Sequence, residues 1–255
     1  MSENSSNNPT PPVAPRASLW RRLSYVLPLS LWVSVTFVAS QFAVVWLFRV
    51  LGMAGISFGS WSQNLFAITV GIVIYATMFA LLIGGPWLIW RRWPSLRTLG
   101  IHRLISWLDI GLSLSGTVVY FIAAALVTWL VSIYIPSVDL GQPQSTGIVA
   151  PRGIELALTF VLLVVVGPFV EELVFRGYLY GKLRAYGVPF LISALVVSVL
   201  FAAAHLQWNV AINVFVLSLV MCVAREVSGS IWPSILMHVI KNGIAFYLLF
   251  VLQVV

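Results

Sequence analysis

Seven long apolar runs divide this chain, at approximately residues 25–51, 65–90, 108–135, 154–183, 188–205, 210–225 and 231–255. A helix needs about 20 residues to cross the hydrocarbon core of a bilayer. Most of the runs reach that length, and 210–225 is marginal. The run at 154–183 exceeds one crossing and carries Gly167-Pro168 near its middle, a pair that interrupts helical structure. The pattern therefore predicts an all-α fold: a polytopic transmembrane helical bundle of seven to eight helices. Tryptophans fall near many run ends (Trp20, Trp61, Trp90, Trp93, Trp107, Trp208, Trp232), where indole rings sit at a membrane–water interface. No internal repeat is apparent.

Composition supports the membrane assignment. The chain is 60% hydrophobic and 8% charged, against about 25% charged in soluble domains. The net charge of +7 does not point to nucleic acid, because the basic residues lie between apolar runs and form no stripe or groove. Their placement sets orientation instead. Arg16, Arg21, Arg22, Arg91, Arg92, Arg97, Arg103, Lys182, Arg184 and Arg225 fall on one side of the predicted bundle, and only Arg49 and Arg152 on the other. The rich side is cytoplasmic by the positive-inside rule, which predicts a multi-pass protein of the cell membrane with a cytoplasmic amino terminus. Residues 1–17, rich in Ser, Asn and Pro, read as a disordered cytosolic tail. Residues 18–153 form the N-terminal transmembrane helices and 154–255 a catalytic transmembrane core. The single cysteine, Cys222, reads as a small buried hydrophobe.

Seven polar groups interrupt the apolar runs: Glu171, Glu172, Arg176, His205, His238, Lys241 and Asn242. An ionisable side chain at mid-membrane costs roughly 2.5–3.5 kcal/mol even on mild scales and marks a functional site. Glu172 and Arg176 stand at i and i+4, so they can pair on one helix face. Phe201 and His205, and His238 and Asn242, repeat that spacing. Counted from Gly187 as a turn, Glu172 lies about 22 Å along one helix and His205 about 27 Å along the next, within side-chain reach of one layer. That layer is expected to open to the cytosol. A carboxylate, two imidazoles and a carboxamide at one depth are the parts of a hydrolase: a glutamate base for water, a histidine to orient it, and donors for a tetrahedral oxyanion. Lys241 is rotated about 100° from Asn242 and is expected to snorkel or face lipid. Asn209 and Asn213 either line the cavity or join helices, Asn242 has the same second reading, and Glu155 and Asp139 read as surface charges.

These residues also carry a family resemblance. Glu171-Glu172-x-x-x-Arg176, Phe201-x-x-x-His205 and His238-x-x-x-Asn242 resemble, in order, the EExxxR, FxxxH and HxxxN motifs of the CPBP intramembrane proteases, the family of type II CAAX prenyl endopeptidases and Abi-type bacterial proteins. The resemblance covers roughly 154–255, with no specific signal in the first three helices. It implies Glu171 as catalytic base, His205 positioning the water, His238 and Asn242 at the oxyanion, and Glu172, Arg176 and Phe201 in support. It implies hydrolysis of a membrane-embedded or lipid-modified (CAAX-like) protein or peptide at the lipid bilayer. A metal-free glutamate mechanism is the expectation. A zinc site of Glu171, Glu172, His205 and His238 is the alternative, although no HExxH helix is present. Two other functions use the same residues: a non-catalytic immunity or scaffold protein of this fold, or a small proton-coupled transporter.

Overall fold

A computed structural model describes residues 18–91, 93–142 and 146–253, so the tail expected at 1–17 lies outside the described residues. Eight helices and no strand make up the described residues. They are α1 (Leu19–Met53), α2 (Gln63–Trp90), α3 (Leu96–Leu99), α4 (Trp107–Tyr134), α5 (Ile154–Ala185), α6 (Phe190–Ala203), α7 (Trp208–Ser228) and α8 (Trp232–Val251). All but α3 and α6 are long and apolar enough to cross a membrane. The run that looked marginal supplies α7, at 21 residues, while the run 188–205 supplies only 14 helical residues in α6.

The predicted interruption at Gly167-Pro168 does not occur. Helix α5 runs through it by widening to π geometry over Val161–Val166, and again over Leu173–Tyr180. In π geometry each N–H reaches the carbonyl five residues back, and the Gly167 N–H donates to the Leu162 carbonyl. The next N–H in that register would serve Leu163, but Pro168 has none. The wide turn absorbs the proline and leaves one carbonyl to be satisfied from elsewhere.

Helix α5 is the centre of the bundle. Half of its most apolar stretch is buried (50%), against 17–22% in α1, α2 and α4, which turn large apolar faces outward. Residues 172–181 are all buried. They pack with Val197, Phe201 and Val214 of α6 and α7 into the main apolar cluster.

The two ends of the bundle differ. At the amino-terminal end Tyr25 stacks on Tyr186 with ring centroids 4.1 Å apart. There Arg225 donates to the Thr98 carbonyl at 3.2 Å and Arg103 to that of Ser228 at 3.3 Å. Arg103 also pairs with the buried Asp109, whose capping box with Ser106 starts α4. At the opposite end Asn64 donates to the Val149 carbonyl at 3.0 Å and to Glu155 at 2.8 Å. Glu155 is thus a brace between α2 and α5 and not a free surface charge.

Helix α3 lies against α5 where glycines leave room. A Cβ built on Gly181 would stand 2.1 Å from the Thr98 carbonyl oxygen. Overpacking costs about 1–3 kcal/mol, so Gly181→Ala is expected to lower the thermal midpoint of the purified protein, and an unchanged melt would show that α3 is free to move away.

Candidate active site

The polar residues of α5, α6 and α8 converge. Glu172 and Arg176 are fully buried and paired at 2.7 Å, the i and i+4 pair that spacing predicts. His238 Nδ1 donates to the same Glu172 oxygen at 2.9 Å. Its Nε2 consequently faces Glu171 Oε2, 3.8 Å away. That gap is longer than a hydrogen bond, and one water can contact both atoms. His205 Nδ1 donates to the Phe201 carbonyl at 2.8 Å, which fixes the ring and leaves Nε2 as an acceptor.

Phe201 is the pivot beneath both histidines. Its ring meets His205 edge-on at 5.0 Å and His238 at 5.7 Å, while the Arg176 guanidinium lies 4.4 Å from its centroid. That cation–π contact compensates part of a buried charge, because Arg176 Nε and Nη2 and Glu172 Oε2 have no hydrogen-bond partner among the described residues. Cys222, buried on α7, lies against this pair.

Asn242 donates through Nδ2 to the Leu163 carbonyl at 2.8 Å. This is the acceptor orphaned by Pro168 in the π register, so the carboxamide repairs α5 and joins two helices. The interhelical reading of Asn242 is therefore correct in part, and the residue also lines the cavity. Asn209 and Asn213 do not line it: Asn209 donates to the Gln142 carbonyl at 2.6 Å and Asn213 to that of Asn209 at 2.9 Å.

The cavity has a volume of about 440 Å³, within the range of roughly 300–1,000 Å³ for ligand pockets. Glu171, His205, His238 and Asn242 all face it, and apolar side chains supply most of the remaining wall. Two residues were not foreseen in these roles. Lys241 lines the cavity and feels the Glu171 charge, so it does not face lipid. The second is Tyr75 of α2, whose hydroxyl donates to Glu171 Oε1 at 2.6 Å. A phenol in the middle of an apolar helix was its one signal, since a buried tyrosine hydroxyl needs a partner. Gly167 makes room for it: a Cβ there would lie 3.0 Å from the Tyr75 oxygen.

The alternative of a zinc site would need its four donors gathered in one group. Among the described residues no three His, Cys, Asp or Glu side chains form a group that could hold a metal ion. Glu172 is turned away from the cavity, engaged by Arg176 and His238.

A bundle of membrane-length helices that walls a carboxylate and two imidazoles into an apolar cavity defines a multi-pass membrane protein with an internal polar site. The family described as "Type II CAAX prenyl endopeptidase Rce1-like" matches residues 153–244, so the resemblance carried by the three motifs holds over that segment. A protein of Escherichia coli described as "Uncharacterized 24.3 kDa protein" is 28% identical over 163 residues, covering 59% of this chain and 68% of that one. No solved structure matches the chain.

Removing the phenol tests whether Tyr75 orients the carboxylate. A hydrogen bond to a charged group is worth about 1.5–3 kcal/mol. If Glu171 acts in a reaction, Tyr75→Phe is expected to lower kcat by about tenfold or more with little change in KM. An unchanged kcat would reduce Tyr75 to a packing residue.

Proposed function

We propose that this protein is an intramembrane endopeptidase that hydrolyses a peptide bond of a membrane-anchored or lipidated polypeptide with water activated by Glu171. The observation that carries the reading is the 3.8 Å approach of Glu171 to His238 Nε2 on the wall of a largely apolar cavity. A water at that point meets Glu171 as proton acceptor, and His205 Nε2 can accept its second hydrogen. Glu171 takes one proton as the water oxygen attacks the carbonyl carbon. The resulting oxyanion accepts hydrogen bonds from the second Asn242 N–H and from His238 as imidazolium, whose Nδ1 remains on Glu172. Glu171 then gives its proton to the leaving amine as the C–N bond breaks. Glu172, Arg176 and Phe201 touch no reacting atom, and they hold both imidazoles in place. Membership of the matched segment in a protease family supports this chemistry.

The test is cleavage of membrane-anchored and lipidated peptides by the purified full chain in liposomes, beside Glu171→Ala and His205→Ala, with and without chelator. Wild type is expected to cleave in both conditions, and both variants to lose most activity. Equal cleavage by wild type and Glu171→Ala would sink the assignment. Loss on chelation with recovery on adding zinc would replace the metal-free route.

A further inference from the structure

The cavity around Glu171 is not centred on the bundle. On the amino-terminal side its floor is closed: residues 172–181 of α5 are all buried, and Val197 and Cys222, both without exposure, share their apolar cluster. The remaining lining leads the other way. It includes Thr146, in the segment between α4 and α5 at the opposite end, and Phe246, Leu249 and Phe250 on the last turns of α8. Gln207, in the turn that ends the short α6, completes that wall.

The end toward which this lining runs is the one poor in positive charge. Arg21, Arg22, Arg97, Arg103, Lys182, Arg184 and Arg225 all lie at the closed end, which the stacking of Tyr25 on Tyr186 and the Arg225–Thr98 and Arg103–Ser228 bonds draw together. Among the described arginines and lysines outside the site, Arg49 and Arg152 alone fall near the other end. An excess of Lys and Arg in short loops marks the cytoplasmic face. The lining residues therefore favour the end opposite to the cytosolic opening expected from sequence.

We propose that water and substrate reach Glu171 from the extracytoplasmic end, so that the substrate is an exported or membrane-anchored polypeptide whose scissile bond lies on that side. A protein lipidated and held on the cytosolic leaflet would meet the closed floor. The choice of substrate rests on the peptidase reading above, whereas the access route does not.

Cysteine labelling separates the two. Single cysteines are placed at Val149 (exposed, opposite end), Arg97 (exposed, arginine-rich end) and Ala245 (cavity wall) in the full chain carrying Cys222→Ala, and intact spheroplasts are treated with a small membrane-impermeant thiol reagent. Val149→Cys and Ala245→Cys are expected to label at once, and Arg97→Cys only after permeabilisation. If Ala245→Cys does not accumulate, Leu249→Cys takes its place. Labelling of Arg97→Cys before permeabilisation, or of the cavity cysteine only after it, overturns the proposal. A failure of Glu171→Ala to affect cleavage would instead refute the peptidase reading and leave the labelling result standing.

Discussion

Glu171→Gln is expected to reduce kcat by about 10²–10⁴-fold, the contribution of a positioned general base, while leaving KM and the thermal midpoint close to wild type. The substitution keeps the volume of the side chain, and its amide oxygen can still accept the Tyr75 hydroxyl that now lies 2.6 Å from the carboxylate. What it removes is the capacity to take a proton from water. The buried pair that holds the fold is Glu172–Arg176, not Glu171, so stability and activity should separate cleanly in this variant. Single-turnover cleavage with saturating enzyme measures the chemical step directly. A kcat for Glu171→Gln equal to wild type would mean that another group activates the water, or that the cavity binds without reacting.

Much of the fold was legible because length and hydropathy alone define membrane-spanning helices, and the site residues because charge in such helices is rare. The i and i+4 pairing of Glu172 with Arg176 needed only helical spacing. What could not be read depends on rotation and on neighbours. Lys241 lines the cavity on the same helix as Asn242, whose bond to the Leu163 carbonyl meets an acceptor left free where Pro168 follows a π turn. Straight α-helical counting cannot anticipate that turn, so it also broke α5 where the chain continues. Tyr75 lies 96 positions before Glu171 in a helix without motifs, and a contact so distant in sequence leaves no local periodicity. Depth counted along two helices placed Glu172 and His205 in one layer but carried no information about which end of that layer is packed shut.

Arg176→Met carries the largest expected cost in stability. Arg176 and Glu172 are both without exposure, and removing one member of a buried pair leaves an uncompensated charge, at about 3–5 kcal/mol. Glu172 would keep a single donor, His238 Nδ1. Phe201 would lose the guanidinium packed 4.4 Å from its centroid. The pair is itself poorly satisfied, with three of its polar atoms lacking hydrogen-bond partners among the described residues, and well-packed apolar replacements of buried pairs are often neutral or stabilising. The double variant Glu172→Leu/Arg176→Met should therefore recover most of the stability lost in Arg176→Met. It should not recover cleavage, because His238 would lose the acceptor that fixes which nitrogen faces Glu171. Unfolding by denaturant in micelles, run beside the cleavage assay on all four proteins of the cycle, reads both quantities. Recovery of activity together with stability would show that the pair serves packing alone, and an Arg176→Met variant as stable as wild type would remove the premise that the charge is compensated by Glu172.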